Sequence, residues 1–209
     1  MDKVDLVFPV LGKFIPVDHG YPLFGALSRK LPIIHEESAG IRFANINGAP
    51  LGKGLLQVTS RSRFRLRLLT SQIRETMVLA NKVLDVASHR IRLGVPSVSV
   101  LTPADRLFAR FVTLKNSTDP DPFLLKVRER LAEMGVRGEP SIPLHFAGPR
   151  AGETHRKVLR ISGKSVIGYP LILDALTAED SIRLQCEGLG GRQSMGAGFF
   201  LPLTGDETP

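Results

Sequence analysis

Two hydrophobic periodicities alternate along this chain. Residues 3–11 (KVDLVFPVL) are rich in Val, Leu and Phe and read as a strand. In 21–34 (YPLFGALSRKLPII), Leu23, Leu27 and Leu31 recur every fourth residue, the stripe of a buried helix face. Pro22 suits the first turn, with Asp18 or Gly20 as cap. Pro32 lacks the N–H that would bond back to Ser28, so the helix should end near Lys30. IRFANI then reads as a short strand and GAPLGKG as a turn-rich link. In RSRFRLRLL the alternation is strict: Arg61, Arg63, Arg65 and Arg67 fall on one face of a strand, and Ser62, Phe64, Leu66 and Leu68 on the other. A helix over about 71–81 and an extended segment, KVLDVASHRIRLGVP, complete the first half. The order is β-α-β-β-α-β, the ferredoxin-like pattern.

Residues 96–105 (PSVSVLTPAD) read as a connector, after which the order repeats. RLFARFVTLK is a strand, 122–134 (PFLLKVRERLAEM) a helix stopped by Gly135, and IPLHFAG a strand. HRKVLRISGKSVIGYPLIL is one long strand or a hairpin bending at Gly163. Residues 177–187 (TAEDSIRLQCE) form a helix with Thr177 as N-cap and Asp180 at the third position of a capping box, and FFLPL is a last short strand. The expected architecture is therefore α+β, two tandem ferredoxin-like (RRM-like) domains, residues 1–100 and 101–209. Only the order of elements supports the repeat.

Charge narrows the partners. Against 20 Asp and Glu stand 28 Lys and Arg, a net charge of +8 in 209 residues, which favours a polyanion: nucleic acid or an anionic membrane surface. No segment reads as a basic amphipathic anchor, none approaches the roughly 20 apolar residues of a membrane span, and the start does not read as a signal peptide. Nucleic acid leads, no membrane partner is expected, and a cytoplasmic location is the expectation. One cysteine, Cys186, excludes an intrachain disulfide and a cysteine-rich metal site. His, Asp and Glu show no metal-ligand spacing, so neither metal nor cofactor is expected. With few aromatics and no Trp, base stacking would be thinly supplied.

Between the last helix and the last strand lies GLGGRQSMGAGFF, residues 188–200. A Walker loop needs a Lys-Ser/Thr pair that is missing here, and a dinucleotide fingerprint follows a strand and opens a helix, whereas this loop does the reverse. What remains is a tight turn or a backbone cradle, in which glycine N–H groups accept an anion. Two G-h-G units, five residues apart and enclosing Arg192, favour the cradle.

That spacing resembles the CRISPR repeat-processing endoribonucleases, the sixth Cas family, within the repeat-associated (RAMP) superfamily. A second stretch, 16–43 (PVDHGYPLFGALSRKLPIIHEESAGIRF), is similar to the family's first helix and the loop after it. The resemblance implies a metal-independent endoribonuclease that cuts precursor CRISPR RNA within repeats. It would stay bound to the 3′ end of the product in a complex with other effector subunits. A non-catalytic crRNA-binding subunit is the alternative. It further implies that His35 is the general acid or base and Arg42 the charge at the scissile phosphate. Ser28 stands where some members carry a catalytic Tyr. Tyr21 lies fourteen residues before His35, roughly 20 Å if all of that were helix. Gly188, Gly190, Gly191, Arg192, Gln193, Ser194, Gly196 and Gly198 would hold the RNA.

The chemistry of such a cut suits a histidine at that place. The 2′-OH attacks its own neighbouring phosphate, which requires a base, an acid for the departing 5′-oxygen and positive charge on the phosphorane. Histidine titrates near neutrality and fills either proton role. The products are a 2′,3′-cyclic phosphate and a 5′-OH. His19 reads as structural at the helix start, and His89, His145 and His155 show no catalytic spacing. The arginines 61, 63, 65 and 67, about 6.6 Å apart along one strand face, are either a track for RNA phosphates or the charged blunting of a sheet edge.

Overall fold

The computed structural model describes residues 2–145, 149–161 and 163–203. The chain divides into two compact units: Met1–Leu101 with Ser194–Gly196, and Thr102–Gln193 with Ala197–Pro209. Both are mixed α/β. Among the described residues, no helix is long and apolar enough to cross a membrane.

In the first unit the chain runs β1 (Lys3–Gly12), β2 (Phe14–Pro16), α1 (Gly20–Ser28), β3 (Arg42–Ala44), β4 (Ala49–Gly52), β5 (Leu55–Gln57), β6 (Arg63–Leu69), α2 (Ile73–Thr76), β7 (Val83–Val86), β8 (His89–Leu93) and β9 (Ser97–Val100). The main sheet has the order β3-β6-β1-β8-β7, with β9 also paired to β1. Strand alternation sets the faces. Leu6 and Phe8 of β1 and Phe64, Leu66 and Leu68 of β6 are buried in one core with Leu23 and Leu27 of α1. The register Asp5↔Arg67 and Arg67↔Arg42 puts those polar residues in one row on the opposite face.

Several expected elements differ. GAPLGKG supplies β4 and the turn into β5, a hairpin that with β2 makes a second, three-stranded sheet. The extended segment after α2 is the hairpin β7–β8, turning at Ala87 and Ser88, both at positive φ. The supposed connector supplies β9. The helix expected over 71–81 is one α turn between two 3-10 turns. The N-cap of α1 is His19, not Asp18 or Gly20, and its side chain makes no capping bond.

The second unit runs β10 (Leu107–Val112), α3 (Pro120–Glu133), β11 (Glu139–Ser141), β12 (Lys157–Ile161), β13 (Lys164–Asp174), α4 (Ala178–Glu187) and β14 (Phe200–Pro202). Its sheet has the order β11-β13-β10-β14, with β12 on β13 and Gly163 in the turn between them. Taking β1, β3, β6 and β9 in the first unit and β10, β11, β13 and β14 in the second, both units share one pattern: the second strand pairs the third, the third the first, and the first the fourth. The hairpin β7–β8 stands outside this pattern in the first unit. Leu107, Ala109, Tyr169, Leu171 and Leu173 bury one sheet face against Phe123, Val127 and Leu131 of α3 and Leu184 of α4. Thr177 caps α4, its hydroxyl accepting from the Asp180 N–H at 3.1 Å. The Asp180 carboxylate does not close the box; it accepts from the Arg137 N–H at 3.3 Å. The strand expected in IPLHFAG is displaced to β11, just upstream. Phe146, Ala147 and Gly148 at its end lie outside the described residues.

Candidate functional site

Helix α1 stops at Ser28 and the chain turns, because Pro32 cannot continue the hydrogen-bond ladder. Pro32–His35 then forms a 3-10 turn that ends on the histidine. His35 is exposed, and its ring sits edge-on to Phe24 of α1, 4.9 Å between centroids at 76°. Among the described residues, no hydrogen bond or ion pair engages its ring nitrogens. The carbonyl bond expected of a merely helix-capping histidine is therefore missing. An aromatic contact orients the imidazole and leaves both nitrogens available for proton transfer. His19 is the opposite case. It is fully buried; its Nε2 accepts from the Ile46 N–H at 2.9 Å, so Nδ1 carries the proton and donates to the Pro16 carbonyl at 2.6 Å.

Ser28 does not fit the third role. Its hydroxyl donates to the Phe24 carbonyl one turn back at 2.6 Å, the local bond that Ser makes within helices, and this uses its one proton. The helical distance that set Tyr21 aside does not apply either, since α1 ends at Ser28. Arg42 opens β3, half-buried, two residues after Gly40, on the strand face opposite the Phe43 side chain and the core.

The arginine row is not a row of four available cations. Arg67 is 1% exposed and binds the buried Asp5 through two bonds, Nε to Oδ1 at 2.7 Å and Nη2 to Oδ2 at 2.9 Å. Arg65 lies 3.9 Å from the same carboxylate. The Arg63 guanidinium donates to the Ser60 and Ser62 carbonyls at 2.8 and 2.9 Å, closing the turn before β6. Arg61 lies in that turn, exposed, outside the strand. The edge reading fails too, because β6 sits between β3 and β1. Asp5, one strand away and more than sixty residues earlier, is the residue that strand periodicity could not reveal.

The glycine loop closes on itself. Gly188 is the C-cap of α4 and donates to the Leu184 carbonyl at 2.8 Å. The Gly191 N–H donates to Thr113, that of Gly198 to Phe111, and that of Leu189 to the Gly198 carbonyl. The apolar residues between the glycines, Leu189 and Ala197, are buried. At Gly198 a side chain is impossible without rearrangement: φ is +63°, and a Cβ would overlap the Leu189 carbonyl oxygen. The N–H groups of Gly188, Gly191 and Gly198 thus serve the loop's own closure and cannot cradle a phosphate. Gly190 lies close against the Thr113 carbonyl in the second unit, and Gly196 close against Asn45 in the first. Gln193 donates to the Gly190 carbonyl at 3.0 Å and Ser194 is half-buried in the 3-10 turn that follows. Arg192 is different. It is exposed and holds φ +59°, a left-handed conformation that disfavours any side chain and that a glycine would take freely.

Solved structures share the fold. A structure titled "CRISPR associated protein Cas6" superposes with a TM-score of 0.64 at 11% identity, covering 96% of this chain and 98% of that one. A Cas6-related protein from Pyrococcus furiosus gives 0.59 at 12% identity, over 97% and 98%. The CRISPR endoribonuclease Cse3 bound to 19 nt RNA gives 0.52 at 15% identity, over 96% and 98%. The sequence then gives the family. Residues 4–205 match the model described as Cas6 Crispr. The CRISPR-associated endonuclease Cas6 of Myxococcus xanthus (strain DK1622) is 39% identical over 199 residues, 95% of this chain and 81% of that protein. The chain belongs to the Cas6 family.

Proposed function

We propose that this chain is an endoribonuclease that cuts precursor CRISPR RNA within its repeats, using the 2′-OH as nucleophile and no metal. The observation that carries the reading is the exposed, ring-supported imidazole of His35, with no internal bond to its nitrogens, in a Cas6-family chain 39% identical to a CRISPR-associated endonuclease. His35 moves the proton, from the 2′-OH or to the leaving 5′-oxygen, and Arg42 stabilises the charge that builds on the phosphorane. Arg192 and the exposed Arg61 contact the RNA backbone. The matching strand order of the two units supports reading both as ferredoxin-like, with residues 1–100 carrying the cut and 101–209 most of the glycine loop. We further propose that the protein retains its product within an effector complex and works in the cytoplasm.

The test is a repeat RNA carrying a single 2′-deoxy sugar at the mapped cut. The proposal predicts that this RNA is bound but left intact, while the unmodified RNA is cut in EDTA to a 2′,3′-cyclic phosphate and a 5′-OH. A non-catalytic crRNA-binding subunit would bind both RNAs and cut neither. Cleavage of the deoxy RNA, or loss of activity in chelator, would overturn the mechanism.

A further inference from the structure

The second unit carries a basic cluster that the cutting chemistry leaves unused. Beyond β11 the chain forms a short antiparallel ladder: Leu144 bridges Thr154, the His145 N–H donates to the Glu153 carbonyl at 2.9 Å, and the His155 N–H to Pro143 at 3.1 Å. His145 therefore stands opposite Glu153, and His155 opposite Pro143. The two histidines are diagonal neighbours on one face, a relation within reach of aromatic side chains. Their rings lie 4.3 Å apart between centroids, tilted by 39°.

Lys157 joins them two residues later, at the start of β12. Its register partner on β13 is Gly168, where a Cβ would overlap the Val112 carbonyl and the Phe111 ring. With no side chain there, Lys157 reaches past β13 to the irregular register of β10, and its ammonium donates to the Arg110 carbonyl at 3.2 Å. Burial, with the Arg110 guanidinium adding to it, brings Lys157 down to about 8. Burial first, and then the charges of Lys157, His145 and Arg150, hold His155 down at about 4. The neighbouring carboxylate, Glu153, is already bonded to Arg150 at 2.7 Å. The His145 Nε2 is buried with no hydrogen-bond partner among the described residues.

An orphaned imidazole nitrogen amid crowded positive charge is a site that an oxyanion completes. It satisfies the nitrogen and offsets the repulsion. A metal is the poorer occupant, since among the described residues no third His, Cys, Asp or Glu joins the pair. A second cutting centre is also the poorer reading. In-line displacement wants its acid and base on opposite sides of the phosphorus, and rings packed at 4.3 Å leave no room for a phosphate between them.

We propose that His145, His155 and Lys157 form an anion site that holds one phosphate of the bound RNA. This rests on the RNA-processing reading above. A bound phosphate favours the protonated forms of both residue types, so affinity follows pH. It falls as Lys157 loses its proton above about pH 8, and it rises as pH drops towards about 4, because the phosphate draws onto His155 a proton that the free site does not hold at neutrality.

The experiment measures affinity for the 2′-deoxy repeat RNA across a salt series at pH 5.5, 7 and 9, for the wild type, Lys157→Met, Lys157→Arg and the double variant His145→Gln/His155→Gln. Lys157→Met should weaken binding roughly three- to tenfold and lower the salt slope by about one. Lys157→Arg should keep the slope and lose the decline between pH 7 and 9. The double variant should lose the tightening at pH 5.5. Variants that melt as the wild type does yet keep its affinity, slope and pH profile would overturn the site. So would a Lys157→Met that binds normally but cuts slowly. A wild type that neither binds nor cuts the unmodified repeat would instead refute the RNA-processing reading.

Discussion

Residue by residue, the chemistry divides between side chains that are free to act and side chains the fold has consumed. Arg67 is the clearest consumed case. Removing its guanidinium strips the buried Asp5 of its two short bonds and leaves it only the half-buried Arg65 at 3.9 Å, and breaking a buried pair from one side costs about 3–5 kcal/mol. Arg67→Ala should therefore lower unfolding stability by that order in a denaturant melt. Arg61→Ala should leave stability within about 0.5 kcal/mol, as an exposed turn substitution does. Equal and small effects for both would mean that Arg67 is not held by Asp5. This difference was illegible in the sequence because alternation assigns a face, not a partner. It places Arg61, Arg63, Arg65 and Arg67 alike, while burial of Arg67 depends on a carboxylate from another strand. The place of His35 on a turn was legible for a different reason: Pro32, three residues earlier, ends the helix; its proposed role came from the family resemblance alone.

Among the elements, the glycine loop shows how one motif serves two ends. Its closure belongs to Gly188, Gly191 and Gly198, and its outward charge to Arg192. The two are separable. Gly198→Ala forces a side chain into left-handed backbone at about 1–2 kcal/mol, before the overlap with Leu189, and should destabilise the protein in thermal melts. Arg192→Gly relaxes the same kind of conformation. It should leave stability unchanged or raise it by up to about 1 kcal/mol, while weakening RNA affinity and flattening its salt dependence. An Arg192→Gly protein that binds RNA normally would remove the loop from the interface. Elements with long periodic patterns, such as β1, β6, α3 and α4, were legible in advance, as were the Thr177 cap and the Gly163 turn. The short strands β4, β5 and β9 were not. Ala49–Gly52 and Ser97–Val100 lack a buried alternate face: the first is a strand by its hairpin with β5, which in turn pairs with the distant β2, and the second by pairing with the distant β1.

At the scale of the whole molecule, repeated element order foretold two α/β units, but not that Ser194–Gly196, within the glycine loop, belongs with the first. The second unit should also report on its basic cluster without RNA. His155 titrates at about 4 against an ordinary 6.5, so the unfolded chain binds more protons between those values, and stability falls as pH drops through that window. Lys157, at about 8 against 10.5, acts in the same direction: stability rises as pH climbs from 8 towards 10.5. Melts of the RNA-free protein should show both slopes, and the His155→Gln and Lys157→Met proteins should each lose one. A flat profile in the wild type would contradict the crowding inferred there. The central claim concerns the cut. It is tested most directly by single-turnover cleavage of repeat RNA by His35→Ala at saturating protein. The account predicts a loss of about 10²- to 10⁴-fold with repeat affinity unchanged. A His35→Ala protein that cuts at the wild-type rate would contradict it.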